Sequence, residues 1–391
     1  MRGALTITIA TLTLGLTSQP KLSQARPEIP ALESVYMIDT MTGWAVTSER
    51  ARPSGELTRA LLQTTDGGAR WRDVTPTRSP GRQIRVVAVA VLTSRIAWVS
   101  IQTSPDLPRI FHTADSGRTW TGAKVSKFGV SSIYFVNSLN GWAIADAVGF
   151  MGGGMEVNIY RSTDGGANWT RVASACEQTT PICKNTPANE NSGLPLHGHK
   201  VDITFLNTTT GWVTGTILYV THDAGRTWRE QKLPLPPVVT SSWEREYDPP
   251  KFFTAQDGIM PVFYLNAQST SSKAVAVFYA THDGGTTWRY ATPVFITQGY
   301  LDCQHYTCRR YRSSSFADMN HGWIADGGAL YMTSDGGRQW TKVRIPLLAN
   351  VRALQFITPQ VGLAVREDFP FLLKTIDGGH TWAPVSYSIS P

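Results

Sequence analysis

The chain has 391 residues, of which 41% are hydrophobic, and a formal net charge of +7. This hydrophobic share is ordinary for a folded protein and argues against an intrinsically disordered chain. The charge excess is modest and scattered, so it does not indicate a nucleic-acid-binding surface, and we find no nucleic-acid or cofactor motif.

The first 25 residues have the features of an export signal. Arg2 supplies a positive charge, an apolar stretch runs from Ala4 to Leu16, and Ser23-Gln24-Ala25 matches a small-x-small cleavage site. We therefore expect residues 1–25 to be a signal peptide, with an uncleaved anchor as the alternative. No later segment resembles a membrane span. The protein is expected outside the cytoplasm, whether extracellular, periplasmic or at the cell surface.

An eight-residue signature, Ser/Thr-x-Asp-x-Gly-x-x-Trp, recurs seven times after the signal. We call each occurrence a box. An Asp carboxylate can accept backbone N–H groups across a tight turn, Gly can adopt positive φ, and Trp can cover the turn with a large apolar ring. Each box is therefore predicted to be a hairpin turn, and its Asp to be structural. The box aspartates are Asp66, Asp115, Asp164, Asp223, Asp283, Asp335 and Asp377.

A second element, an apolar strand and polar turn followed by Gly-Trp, precedes most boxes. Three units depart from it, at Ala97-Trp98, Gly258-Ile259 and Gly362-Leu363. Each unit predicts four short strands, so residues 26–391 are predicted to form one all-β, seven-bladed β-propeller of four-stranded antiparallel blades. A β-sandwich or two smaller all-β domains are the rival architectures. The blades are placed at about 31–76, 84–125, 130–174, 201–234, 251–292, 314–345 and 350–388.

The boxes and Gly-Trp turns should share one face of the ring, with the longer and more variable connections on the other. Binding sites are common in loops held on a rigid scaffold, so the variable face is the candidate interface. Its aromatic and basic residues can contact carboxylates or phosphates, although they can also be ordinary solvated charge. The candidate partner-binding residues are Trp243, Arg245, Tyr247, Arg309, Arg310 and Arg312.

The four cysteines fall in the same variable connections. An even number of cysteines in an exported chain suggests disulfides, and four allow three pairings. Spacing favours two local bridges, Cys176 with Cys183 and Cys303 with Cys308. A zinc site using Cys303, Cys308 and His305 is the alternative, but no CxxC pair supports it, and we expect no metal.

Catalysis would need a pair of carboxylates at a fixed distance, as in glycosidases. The sequence offers candidates on the variable face but does not show that any two converge, so we assign no catalytic residue. The candidates are Glu156, Glu177, Glu190, Glu244, Glu246, Asp248, Asp302 and Asp368. No nucleophile elbow is present, and Gly152-Gly153-Gly154 lacks the Lys-Ser/Thr of a phosphate-binding loop.

The boxes resemble the Asp-box (BNR) repeats of sialidases, sortilin-type receptors and xyloglucan hydrolases. Their combination with Gly-Trp is most similar to the photosystem II stability and assembly factor family, over roughly Ala31 to Trp382. That resemblance implies an exported, monomeric, non-catalytic propeller that binds a protein partner, in the thylakoid lumen if the host is photosynthetic. The alternative it leaves open is a glycan-binding or glycoside-hydrolysing, sialidase-like propeller.

Overall fold

The computed structural model shows seven four-stranded antiparallel blades arranged in a ring, which confirms the predicted fold class. Across these blades, no described helix is long and apolar enough to cross a membrane. The structure describes residues 30–48, 50–51, 57–76, 84–103, 109–126, 129–147, 156–175, 193–266, 273–297, 301–302, 309–310, 313–367 and 371–390. The expected signal peptide and all four cysteines lie outside these ranges.

The first four blades each come from one continuous stretch of chain, and their strands follow in order from the central channel outward. Blade 1 contains β1 (Leu32–Met37), β2 (Gly43–Thr47), β5 (Leu61–Thr64) and β6 (Arg70–Asp73), with a small hairpin of β3 (Arg50–Ala51) and β4 (Leu57–Thr58). Blade 2 contains β7 (Ile84–Val91), β8 (Ala97–Thr103), β9 (Arg109–Thr113) and β10 (Thr121–Lys124). Blade 3 contains β11 (Gly129–Phe135), β12 (Gly141–Ala147), β13 (Glu156–Ser162) and β14 (Thr170–Ala175). Blade 4 contains β15 (Lys200–Phe205), β16 (Gly211–Gly215), β17 (Tyr219–Thr221) and β18 (Arg229–Glu230).

Blade 5 is less regular, because both its inner and its outer strand are divided in two. Its inner strand is β19 (Glu244–Tyr247) and β20 (Lys251–Phe252), followed by β21 (Gly258–Asn266), β22 (Lys273–Thr281) and the outer β23 (Arg289–Tyr290) and β24 (Val294–Ile296). A two-stranded ribbon of β25 (Leu301–Asp302) and β26 (Arg309–Arg310) follows. Blade 6 contains β27 (Ser314–Phe316), β28 (Gly322–Asp326), β29 (Ala329–Thr333) and β30 (Thr341–Arg344). After a 3₁₀ turn at Pro346–Leu348, blade 7 contains β31 (Val351–Phe356), β32 (Gly362–Arg366), β33 (Leu372–Thr375) and β34 (Ala383–Val385), and β35 (Ser388–Ser390) ends the described chain.

The Gly at the start of the second strand makes room for a large side chain on the neighbouring strand. In six blades it lies directly opposite a Met or Phe at the end of the inner strand. A Cβ on Gly141 would lie 2.4 Å from the Phe135 ring, closer than real side chains approach. In blade 2 the opposing pair is Ala97 and Val91, so a larger residue on one strand is matched by a smaller one on the other.

Three pairs of neighbouring blades, 2–3, 3–4 and 6–7, are joined by what we call the Trp clasp. The Trp of one blade stacks on the inner-strand Phe of the next blade, and its indole N–H donates to the fourth residue of that blade's box. The stacked pairs are Trp98–Phe135, Trp142–Phe205 and Trp323–Phe356, with centroids 3.6, 3.5 and 3.6 Å apart. The acceptors are the carbonyl oxygens of Gly165, Ala224 and Gly378, at 2.8, 2.9 and 2.7 Å.

Other junctions reach the same box by different side chains. Between blades 4 and 5, Trp212 donates to the Gln231 amide oxygen at 2.8 Å, and the Gln231 amide N–H donates to the Gly285 carbonyl at 2.8 Å. Between blades 5 and 6, where Ile259 replaces the Trp, the Phe278 ring lies 4.9 Å from Phe316. At the blade 5–6 junction, a contact between Phe278 and Phe316 therefore takes the place of the missing Trp stack.

The ring closes between blades 7 and 1. The Gln355 side chain accepts from the Met37 amide at 2.8 Å and donates to the Met37 carbonyl at 2.9 Å. On the outside, β35 pairs in parallel with β6 and adds a fifth strand to blade 1. The Tyr387 hydroxyl donates to the Pro30 carbonyl at 2.8 Å, so both ends of the described chain are fixed at this junction.

The Gly–Phe pairing predicts the outcome of a compensating double substitution. Gly141→Ala should destabilise the protein by about 1–3 kcal/mol, because the new methyl group overlaps a Phe135 ring that Trp98 prevents from moving. Adding Phe135→Val, which copies the natural pair in blade 2, should make the double variant more stable than the sum of the single effects predicts. Urea unfolding of the four proteins measures this coupling.

Gly129→Ala is the matched control, because a Cβ at Gly129 would meet nothing within 4 Å. If the two effects at Gly141 and Phe135 simply add, the cross-strand pairing does not explain the Gly.

Candidate functional site

Each box folds as the same closed hydrogen-bonded turn. The first-position hydroxyl donates to the Asp carboxylate in all seven boxes, at 2.8 to 2.9 Å. The same carboxylate accepts the backbone N–H of the seventh residue, at 2.9 to 3.0 Å. The fifth residue is always Gly and has φ between 75° and 98°. The box carboxylates are thus fully engaged in holding their own turns.

These bonds keep the box carboxylates ionised. The side-chain hydroxyl and backbone N–H of Thr119 hold the pKa of Asp115 well below its usual range. At Asp377, burial opposes ionisation, but hydrogen bonds from Thr381 and Thr375 outweigh it and lower the pKa to about 2. The pKa of each of the other five box aspartates is also lowered.

The two faces of the ring are distinguished by another set of seven equivalent bonds. In every blade the fourth box residue donates its N–H to a carbonyl in the turn between the first and second strands, at 2.7 to 3.0 Å. Box and turn therefore lie together, on what we call the box face. The opposite link face carries the turns between the second and third strands and the links between blades.

Three of the candidate partner-binding residues lie together in blade 5, but two of them, Trp243 and Tyr247, pack against the core. Tyr247 is 5% exposed, and Trp243 is half-buried against the same cluster between blades 4 and 5. Arg245 donates to the Ser241 carbonyl at 3.0 Å. Glu244–Tyr247 is the first half of an inner strand rather than part of a link, so blade 5 begins earlier than the repeat spacing predicts.

The remaining basic candidates lie beyond blade 5. The backbones of Arg309 and Arg310 pair with Asp302 and Leu301 in a small ribbon, while Arg312 lies outside the described residues, as do Glu177, Glu190, Asp368 and His305. The link leading to this ribbon is anchored by Asp326, which accepts from the Thr297 amide at 3.0 Å and from its hydroxyl at 2.5 Å.

Three of the carboxylates considered for catalysis, Glu244, Glu246 and Asp248, lie in or next to β19 of blade 5, and the other two described candidates lie in separate strands. Glu156 is buried in blade 3, where it accepts from the Asn158 side chain at 3.0 Å, while Glu244 is exposed on blade 5. Within the described residues, no group of three or more His, Cys, Asp or Glu side chains is arranged to hold a metal ion.

The segments that connect the blades contribute some side chains to the core and expose others to solvent. Leu194, Val239, Val294 and Ile296 are buried between blades, whereas their neighbours Leu196, Val238 and Phe295 are exposed. Exposed Leu347 continues this series between blades 6 and 7. Successive junctions from blade 3 to blade 7 therefore each present one large apolar side chain, from the link or, for Phe295, from the outer strand β24, a feature that composition alone did not reveal.

A buried lysine fixes one of these links. Lys200 donates to the carbonyls of Leu196 and His197 at 2.9 and 2.7 Å, and burial lowers its pKa to about 8. The link that contains Leu196 is therefore fixed to blade 4 by hydrogen bonds from a buried side chain.

The central channel contains a cavity of about 710 Å³ lined by the inner strands of blades 1 to 5. Its walls include Tyr36, Ser131, Asp202 and Lys251, so its surface is largely polar. Lys251 also reaches across the next junction and donates to the Phe316 carbonyl at 2.7 Å.

Comparison with known proteins shows similarity at low sequence identity. No family model matches the chain. A xyloglucanase from Paenibacillus sp is 26% identical over 277 residues, which are 62% of this chain and 24% of that protein. The chain therefore spans about a quarter of the length of this curated relative.

Two solved structures resemble the whole ring. One is described as YCF48 bound to D1 peptide, with a TM-score of 0.54, 16% identity, and coverage of 90% of this chain and 94% of that one. The other is YCF48 from Cyanidioschyzon merolae, with a TM-score of 0.52, 17% identity, and coverage of 90% and 98%. At these identities the likeness shows the fold, and the family assignment stays a prediction.

The lowered pKa values of the box aspartates predict acid sensitivity. An Asp that titrates near pH 4 when unfolded and near pH 2 when folded stabilises the protein above about pH 4, and that stability is lost as the pH falls toward about 2. Asp377→Asn, which cannot ionise, should lower stability at neutral pH and show a smaller further loss between about pH 4 and 2. Urea midpoints across this range measure the difference.

The control is Glu244→Gln, an exposed carboxylate outside the boxes. An Asp377→Asn protein that loses stability with acid as steeply as the wild type would show that this carboxylate does not contribute to the transition.

Proposed function

We propose that this protein is an exported, non-catalytic propeller that binds a protein partner through its link face. The observation that carries the proposal is the exposure of one large apolar side chain at each successive junction from blade 3 to blade 7, because a few large side chains of this kind supply most of the binding energy of protein interfaces. The bonds made by Asp326 and Lys200 hold these links at their bases, which limits the entropy lost on binding.

The comparisons support this proposal in one respect. A YCF48 structure that shares the ring over 90% of this chain is described as bound to a D1 peptide, so a ring of this architecture accommodates a peptide partner. The basic residues Arg245, Arg309, Arg310 and Arg312 belong to the same proposal, as residues that would pair with acidic groups of the partner.

Paired surface variants test which face binds. Phe295→Ser with Leu347→Ser should reduce affinity for the native exported partner about tenfold or more, since interface anchors typically contribute 1–2 kcal/mol each. The measurement is capture of partners by the mature chain from the native extracytoplasmic fraction, followed by titration of the purified partner.

The box face supplies the matched control. Leu139→Ser with Ile376→Ser changes side chains that are 56% and 72% exposed, comparable with 57% for Phe295 and 41% for Leu347. If the box-face pair lowers affinity and the link-face pair does not, the proposed interface is on the wrong face.

The second candidate function is glycan binding or hydrolysis, which the 26% identity to a xyloglucanase favours. The two proposals differ in whether the protein hydrolyses glycosides. We expect the purified protein to release no sugar from xyloglucan or from aryl-glycosides above the level of a buffer blank. Release that disappears in a Glu246→Gln or Asp248→Asn variant would replace the first proposal with the second.

A further inference from the structure

The inner strands of five blades share one irregularity. In β1, β7, β11, β15 and β31 the register shifts near the strand's start, leaving one residue without a direct partner. The bulged residues are Glu33, Val87, Ser131, Val201 and Arg352. A β-bulge redirects its side chain, and Val87 and Ser131 line the channel cavity. Each bulge lies four residues before the end of its strand, so the five bulged residues occupy equivalent positions in their blades.

Two bulged residues carry charge, and they meet because blades 7 and 1 adjoin. Arg59, just before β5, donates to the Glu33 carboxylate at 2.5 Å, and Arg352 lies 3.7 Å from the other oxygen of that carboxylate. The side chains of Glu33, Arg59 and Arg352 are 25%, 16% and 10% exposed. An Arg–Glu–Arg cluster is thus nearly enclosed at the junction of blades 7 and 1.

The cluster is not balanced in charge or in hydrogen bonds. Two guanidinium groups share one carboxylate, so the cluster carries a net positive charge. Among the described residues, none accepts a hydrogen bond from the Arg352 guanidinium, and Arg59 Nε is buried without a partner. A buried donor without an acceptor, such as Arg59 Nε, is costly, and a guanidinium presents parallel N–H groups suited to a planar or tetrahedral oxyanion.

We propose that the Arg59–Glu33–Arg352 cluster, at the junction of blades 7 and 1, is a binding site for a small oxyanion, a carboxylate or a phosphate. The Arg352 guanidinium holds the oxyanion by two parallel hydrogen bonds, and Arg59 contributes the second positive charge. Glu33 orients both arginines and sets the affinity by competing for them. This site is independent of the partner-binding proposal, since it lies at the junction of blades 7 and 1 and shares no residue with the exposed apolar side chains of that proposal.

Titration of the purified protein with sodium acetate and with inorganic phosphate, at constant ionic strength, tests the site. Calorimetry should show one saturable site for at least one probe, and the stronger probe identifies the preferred oxyanion. Arg352→Met should weaken binding about tenfold or more, which is typical for loss of a charge-assisted bidentate pair. Glu33→Gln should tighten binding several-fold, because it removes the competing carboxylate. A purely structural cluster would show neither change.

Two further variants keep the test decisive. Arg352→Lys retains the charge but loses the planar guanidinium, so its affinity for the oxyanion should fall between those of the wild type and Arg352→Met. This variant still tests the site if Arg352→Met is poorly folded. Arg289→Met removes an exposed arginine from the outer strand of blade 5 and should leave binding unchanged. Absence of saturable binding of either probe to the wild type, or equal affinity in the wild type, Arg352→Lys and Glu33→Gln, overturns the proposal.

Discussion

The architecture depends on the Trp clasp between neighbouring blades. A blade is a thin sheet with two apolar faces, and only packing against another blade buries them. The stacked Trp and Phe rings bury a large area and contribute about 0.5–1.5 kcal/mol beyond it, while the indole hydrogen bond fixes the rotation of one blade against the next. The bond ends on the fourth box residue, whose own N–H holds the adjacent turn. One box residue therefore connects the folding of a blade to the assembly of the ring.

This coupling explains the division of labour between the two faces. The boxes occupy one face, and their Asp, Gly and Trp residues form the turns and the junctions between blades. The links on the opposite face have no such role in common, and so they vary in length and present side chains outward. The enclosed charges at the junction of blades 7 and 1 are a third region, formed by two strand bulges and by Arg59 just before β5.

The sequence predicted the parts of the structure that depend on short-range contacts. The box turn closes over a few residues, so Asp, Gly and Trp at fixed spacing were enough to predict it. The interruption of the inner strand of blade 5 was missed, because Pro249-Pro250 breaks the alternating pattern and made Trp243 and Tyr247 resemble link residues. The cluster of Glu33 and Arg352 was also missed, since those residues lie near opposite ends of the chain and only ring closure brings them together. The predicted disulfides concern residues outside the described ranges and stay predictions.

The parallel strand β35 has a consequence for the order in which the protein folds during synthesis. It adds to the outer edge of blade 1 instead of supplying one of that blade's four strands. All four strands of blade 1 therefore come from a single stretch of nascent chain, and the blade can form as soon as that stretch has emerged. Each later blade can likewise form before the next is translated, since its contacts are local in sequence. Joining the last blade to the first is then a separate, final step.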